Sequence, residues 1–432
     1  MVVTPERPTP NPSTPTDAAS VRPTESSGTS GTSGISGAGQ DYVAPGQLDS
    51  PGRTDLARFN WAFALSGGGA MGAYTAGVIE AFRERGMFSP GHNVRIIHGV
   101  STGALIANFV ALREFSQLRH IYRTVHTADV LAPNHRLLYN LAGGDILPVL
   151  AACVLAGPPY IFSTAPLRRL VASVMGQNDE RFGELIALRD RMDVGYSAAD
   201  MQTGELHNIT NQDPGITPVA MREGLLASTN QPVLMDLVSL GQDRAPHCDG
   251  GVRELLPLQR IYRSPFADTL DVIVCVILDP VKPLHHDADW VHISDILKRT
   301  IELLSFSVGE HDLERATLLN VLFRCRHTII TKLGEDAWHE IEDGLPIGER
   351  HDLRGLLEPF PRRAYEIIRI HPDHLDFVDP MRFVPGEMRR AYDLAMADTH
   401  RILAHWWKTR GQHLQPAHAD VPWPHAGQVA PM

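Results

Sequence analysis

Five residues, Gly99-Val100-Ser101-Thr102-Gly103, place a serine between an apolar run and a helix-like stretch, with a glycine two positions away on each side. That is the spacing of a nucleophile elbow. The strand-to-helix turn is so sharp that side chains at the glycine positions would collide with the neighbouring strand or helix. The turn lifts the Ser101 hydroxyl to the carboxyl end of a sheet, with a helix N-terminus beneath it that favours developing negative charge. The pentapeptide alone is common, so its weight depends on company. Upstream, Ser66-Gly67-Gly68-Gly69-Ala70-Met71-Gly72 also lies between a strand and a helix. Bare glycines let backbone N–H groups turn into a cavity, which is how an oxyanion hole is built. The spacing Gly67-x-Gly69-x-x-Gly72 meets the dinucleotide fingerprint as well. That reading requires an acid at the end of the second strand, which here ends His98-Gly99-Val100-Ser101, while Glu80 and Glu84 fall on the helix. No Gly-Lys-Ser/Thr follows, which excludes a Walker A loop. The third piece is Asp249-Gly250-Gly251, in isolation a turn signal. Beside a catalytic serine its aspartate is a candidate base, and the glycines let the backbone come close.

Other residues compete for roles. Among 21 histidines, His285, His286 and His292 follow Asp249 in the order of a Ser, acid, His triad. With Asp287 and Asp289 they could also gather a metal, but no helical HExxH spacing is present, and a solvated loop is the simpler reading, so no metal and no cofactor is expected. Cys248 adjoins Asp249 without an elbow to present it, and reads as a small packing residue. The four cysteines, Cys153, Cys248, Cys275 and Cys325, are far apart with no CxxC spacing. Free thiols in a reducing, cytoplasmic setting follow.

The elements that must carry these groups read as an α/β protein. Residues 60–65 form a short buried strand, and a helix runs through about Arg85 with Gly86 as its C-cap. Residues 94–100 give a second strand and 102–113 the next helix. Further strands are expected at 193–199, 205–210 and 270–278, the last almost continuously apolar, as a strand covered on both faces should be. Alternating strands and helices imply a mainly parallel central sheet with helices on both faces. Beyond Pro280, Ser294 and Asp295 mark a helix start, with Leu297, Ile301, Leu304 and Val308 along one face. Residues 327–333 and 366–371 read as strands. Met388, Ala391, Tyr392, Ala395, Met396, Ile402, Leu403 and Trp406 line one stripe of a last helix.

Bulk properties narrow the function classes. The 432 residues are 43% hydrophobic and 21% charged with a net charge of −11. That balance argues against a nucleic-acid partner and against docking through a polybasic patch. Residues 1–57, rich in Pro, Ser, Thr and Gly and without a basic-then-apolar leader, read as a disordered tail. The catalytic domain is then expected at 58–280, a packed extension at 281–412, and a flexible tail at 413–432. Residues 146–162 are apolar, but spanning a bilayer takes about 20 residues, and Pro148, Gly157, Pro158 and Pro159 interrupt the run. A buried or interfacial segment fits better, and with Trp406 and Trp407 it is a candidate interfacial or lid surface.

Three stretches, FALSGGGAMGAYTAGVIEAF, GVSTGAL and CDGGVRELLPL, resemble the three signatures of the patatin-like phospholipases, in the family's order and at its usual separations. Ala227 to Val233 is similar to the segment before the family's aspartate, and YSAADMQTGELH to the strand pair before that. The similarity covers roughly residues 60–280. It implies a three-layer α/β/α fold and a Ser–Asp dyad, with Ser101 as nucleophile, Asp249 as base, and the N–H groups of Gly67, Gly68 and Gly69 as the oxyanion hole. It further implies hydrolysis of fatty-acyl esters through an acyl-enzyme, on a lipid or membrane-surface substrate met peripherally. Met71 departs from the pattern, since the family's loop usually carries Arg or Lys there, which weakens the expectation of a phospholipid headgroup. The alternatives are a catalytically silent lipid-binding or scaffold protein of the same fold, a Ser-His-Asp esterase, or a nicotinamide oxidoreductase. Oligomeric state is not legible.

Overall fold

The computed structural model describes residues 51–89, 93–136, 160–241, 244–279, 293–350 and 364–414, with the isolated positions 152, 155, 353 and 416. In chain order, helix α1 (Arg53–Ala57) leads to strand β1 (Asn60–Leu65), helix α2 (Gly72–Glu84), β2 (Asn93–Gly99) and α3 (Thr102–Ala111). Helices α4 (Phe115–Thr124) and α5 (Thr127–Val130) follow, then a two-stranded ribbon of β3 (Ala132–Pro133) and β4 (Phe162–Ser163). Helices α6 (Ala165–Met175) and α7 (Glu180–Ala187) precede β5 (Asp193–Asp200), β6 (Leu206–Thr210), α8 (Pro218–Ser228), β7 (Val238–Leu240), β8 (Ala245–Asp249), α9 (Leu258–Tyr262) and β9 (Val272–Val276). The last part holds α10 (Ile293–Leu333), α11 (Glu335–Gly344), β10 (Glu366–Ile370) and α12 (Pro385–Thr409).

The central sheet runs β10-β9-β1-β2-β5-β8-β7, with β6 also paired to β5. Its pairings are parallel from β10 through β5 and antiparallel where β6, β7 and β8 join. Both faces are covered, as the apolar strands require. On β1, Trp61, Phe63 and Leu65 enter one core, while Ala62 and Ala64 enter another. Strand β9 divides the same way, Val272, Val274 and Val276 against Ile273 and Cys275. The fold is therefore three-layered, with mostly parallel strands between helices.

Residues beyond 280 are woven into these layers. Strand β10 pairs with β9, and Ala316, Leu319 and Phe323 of α10 pack in the core of the smaller strand residues. Helix α12 lies against α2 so closely that a Cβ on Gly77 would come 2.2 Å from the Tyr392 carbonyl. Its expected stripe is buried at Met388, Ala391, Tyr392, Ala395, Leu403 and Trp406, and half-buried at Met396 and Ile402.

Four expectations are corrected. Residues 327–333 are not a strand but the last turns of α10. Thr328, Ile329, Ile330 and Thr331 carry local β propensity, yet the helical face of Ala316, Leu319 and Phe323 continues to Ile330, and tertiary packing overrides propensity. Leu304 is 63% exposed rather than core-facing, and the side chains of Leu297 and Ile301 lie outside the described residues. Trp406 and Trp407 are 5% and 8% exposed, so they form no lid. Trp406 packs edge-on against Phe59 and Trp61, with ring centroids 6.2 and 5.7 Å away. Finally, residues 53–57 are helical instead of tail, because Leu56 is fully buried and its carbonyl accepts the Trp61 indole N–H at 2.9 Å. The rest of the 1–57 stretch up to residue 50, nearly all of 146–159, Cys153, His285, His286, Asp287, Asp289, His292 and the 417–432 tail lie outside the described residues. Among the described residues no helix is long and apolar enough to cross a membrane.

Candidate active site

Strand β2 delivers Ser101 at its carboxyl end, and the backbone turns there at φ 55°, ψ −125°. A non-glycine residue in that region costs on the order of 1–3 kcal/mol and persists only when its surroundings over-determine it. Here they do. The Val100 N–H donates to the Leu65 carbonyl at 3.0 Å, the Ala104 N–H to the Ser101 carbonyl at 3.0 Å, and the Ser101 N–H to the Ser228 hydroxyl at 3.2 Å. The flanking glycines are required by close approach. A Cβ on Gly99 would lie 2.2 Å from the Gly103 carbonyl, and one on Gly103 would lie 2.3 Å from the Leu65 oxygen. Helix α3 starts at Thr102, so its N-terminal end sits at Ser101. The Thr102 hydroxyl in turn shares a 2.5 Å hydrogen bond with that of buried Tyr122 on α4.

The glycine loop is rooted on β9. Ser66 donates its N–H to the Val276 carbonyl at 3.0 Å, and its hydroxyl accepts the Leu278 N–H at 3.1 Å. Gly67 presses on Ser101, since a Cβ there would be 2.9 Å from the Ser101 Cβ. Gly68 and Gly69 adopt φ of 154° and 55°, both within the range that favours glycine. Among the described residues the N–H groups of Gly67 and Gly68 meet no protein acceptor. Donors left bare beside a serine are what an oxyanion site needs. Met71 is half-buried, its terminal methyl close to Gly68, so the position usually cationic is an apolar patch against the loop.

Asp249 arrives from the other side as the last residue of β8. Strand β8 is antiparallel to β5, with Ala198 opposite Asp249, and the Asp249 N–H is bound by the Asn230 carbonyl at 2.8 Å. Its carboxylate accepts the Gly251 N–H at 2.8 Å, and the Ser101 hydroxyl stands close enough to favour its charged form. Burial pushes its pKa from 3.8 up to about 6, and these two neighbours hold it from rising further. Gly250 is needed because a Cβ there would lie 2.4 Å from the Ser197 carbonyl. The expected residues Ser101, Asp249, Gly67, Gly99, Gly103 and Gly250 are thus gathered at one point, with Gly68 and Gly69 in the adjoining loop.

Competing candidates separate from this point. His98, three residues before Ser101, is buried and bound to Asp193 at 2.9 Å. Burial alone would raise the Asp193 pKa, but His98, together with Ser264 and Arg260, outweighs it and holds it at about 2. Among the described residues no histidine hydrogen-bonds Ser101. Burial and the neighbouring Asp249 push the Cys248 thiol up to about 11, so it is no nucleophile at neutral pH. Ser228 and Asn230 were not singled out from sequence as site residues. Both lie in the Ala227–Val233 stretch noted only for its resemblance, and only the folded contact shows what they hold.

Three comparisons bear on this geometry. The family model described as patatin-like phospholipase matches residues 63–261, a stretch that contains the glycine loop, the elbow and Asp249. No curated protein matches the chain. Among solved structures, the chain is similar to VipD from Legionella pneumophila, at 14% identity and a TM-score of 0.39 over 80% of this chain and 67% of that one. The last likeness is too weak to carry any argument about the site. By the family match, residues 63–261 are a domain of the patatin-like phospholipase family.

Proposed function

We propose that this protein is a serine lipid acyl hydrolase that cleaves fatty-acyl esters through Ser101 and Asp249. One observation carries the reading: the Ser101 hydroxyl stands within interaction range of the Asp249 carboxylate, beside the amides of Gly67 and Gly68, which meet no protein acceptor among the described residues.

In this mechanism Asp249, ionised above about pH 6, accepts the Ser101 proton as Oγ attacks the ester carbonyl. Charge that develops on the carbonyl oxygen is met by the Gly67–Gly69 amides and the N-terminus of α3. Protonated Asp249 returns its proton to the leaving alcohol, which departs and leaves an acyl-serine. Water, deprotonated by Asp249, then releases the fatty acid and restores the hydroxyl. The half-buried methionine in the glycine loop supports neutral glycerides, lysolipids or simple acyl esters ahead of substrates chosen by an anionic headgroup.

The deciding experiment is labelling with a fluorophosphonate probe, followed by hydrolysis of a panel of phospholipids, lysolipids and glycerides. Labelling at Ser101 that disappears in Ser101→Ala, with ester hydrolysis lost in parallel, is the expected result. A folded protein that neither labels nor hydrolyses any ester in the panel would favour the silent scaffold.

A further inference from the structure

Behind the catalytic acid, three residues distant in sequence bring two imidazoles and a carboxylate together. Asp200 closes β5, His207 lies on β6 and His247 lies on β8, two residues before Asp249. Asp200 pairs directly with His247, and Ala198 pairs with both His207 and Asp249. Residues directly opposite in a sheet share a face, as do residues two apart on a strand. All four functional side chains therefore project from one face of the sheet.

The local hydrogen bonds prepare this group for a cation. His247, 1% exposed, directs Nδ1 at the Ala245 carbonyl at 2.8 Å, so Nδ1 carries the proton and a neutral ring keeps its lone pair on Nε2. That Nε2 lies 2.8 Å from Nδ1 of His207. Buried Asp200 accepts the Gln202 and Thr203 N–H groups on one oxygen, at 2.7 and 3.2 Å, which fixes the carboxylate plane. One ligand atom from each of the three residues lies within 4.8 Å of the others. A backbone carbonyl that holds the far nitrogen of an imidazole, and amides that orient a carboxylate, are the supports that metal ligands characteristically have.

We propose that Asp200, His207 and His247 bind one divalent transition-metal ion of the zinc class. Two imidazoles with one carboxylate suit Zn²⁺ ahead of Mg²⁺ or Ca²⁺, which prefer all-oxygen shells. Water takes the fourth position. A tetrahedral ion with bonds of ~2.0–2.1 Å separates ligand nitrogens by roughly 3.3 Å, so the two rings part by a few tenths of an ångström. His207 shifts its proton to its outer nitrogen, and the ion occupies the place of the shared hydrogen bond. The ion joins β5, β6 and β8, strands that chain connectivity alone links only through loops, and stiffens the frame on which Asp249 stands. The site is independent of the hydrolase reading, because neither Ser101 nor the glycine loop takes part.

The test uses the full chain freed of metal by chelator dialysis and titrated with ZnCl2 by calorimetry. Thermal unfolding and the visible spectrum of the Co²⁺-loaded protein are read alongside. The expected result is one equivalent bound and a midpoint raised by several degrees. His207→Ala and Asp200→Asn should each weaken binding at least 10-fold and remove the thermal shift, with basal esterase activity unchanged. In Asp200→Asn the side-chain oxygen still accepts the Gln202 and Thr203 amides, so loss of binding there reports the ligand and not the fold. A flat titration overturns the proposal. Equal binding by wild type and both variants overturns it too, by assigning the ion to other histidines.

Discussion

The carbonyl oxygen of Pro380 sits 2.1 Å from where a Cβ on Gly69 would be, and it accepts the N–H of Ala70 at 2.9 Å. A residue more than three hundred positions downstream, beyond the stretch matched by the family model, thus forms the outer wall of the glycine loop. Gly69→Ala meets both that oxygen and an unfavourable φ of 55°. The loop must shift, and kcat should fall by about 100-fold or more, the scale of a lost oxyanion donor. Steady-state kinetics with far-UV circular dichroism on the variant decide the matter, and near-native kcat would show that the loop amides are not catalytic.

Asp249→Asn separates catalysis from stability. It removes the proposed base, so esterase activity should drop by at least about 1000-fold. It also removes a buried charge. The folded carboxyl titrates near 6 against 3.8 for the free group, so this residue's contribution to stability is complete below about pH 4 and is lost as pH rises through 6. The difference is worth about 3 kcal/mol at most. Urea unfolding should find the variant more stable than wild type at pH 8 and no more stable at pH 4, with wild-type kcat/KM rising to a plateau above about pH 6.

Ser228 acts through the backbone of Ser101, so it is a positioning residue. Ser228→Ala leaves the strained Ser101 N–H without its acceptor, a loss of about 1–3 kcal/mol. The expected signature is a kcat lower by about 5- to 100-fold with KM unchanged. A change confined to KM would point to a role in substrate binding instead.

Two further acids make the protein sensitive to alkali. Glu254 accepts the Ser197 hydroxyl at 3.2 Å, and Asp312 of α10 accepts the Leu255 and Leu256 N–H groups at 2.8 and 3.1 Å. Burial first, then the charge of Asp312, lifts Glu254 to about 8, and burial lifts Asp312 to about 6. Both folded values exceed the free-chain ones, so the stability they supply is whole below about pH 4 and declines as pH rises through 6 and then 8. Glu254→Gln should flatten the upper half of that decline in urea titrations between pH 6 and 9. An unchanged pH profile would show that Glu254 is not the titrating group.

The chemistry was legible wherever it is local. Gly99, Ser101 and Gly103 carry their meaning at short range, because the turn that needs them spans five contiguous residues, even though the carbonyl that crowds Gly103 belongs to Leu65. The Gly67–Gly69 run and Asp249-Gly250-Gly251 are contiguous for the same reason. Strands β1 and β9 announced themselves by unbroken apolar runs, which only a doubly covered strand tolerates. Residues 327–333 misled because their β-branched composition speaks for seven residues, whereas the helical face that claims Ile330 begins at Ala316.

By itself, then, the sequence marked out Ser101, Asp249, the glycine loop and the layered α/β class, each written in contiguous residues whose sterics and periodicity act locally. Tertiary structure alone decided what lies across from them: Ser228 beneath the elbow, Pro380 against the loop, Trp406 buried beside Trp61, and Asp200, His207 and His247 meeting behind Asp249. Those relations depend on strand order and helix packing, in which residues tens to hundreds of positions apart become neighbours, and no local spacing encodes such a neighbour.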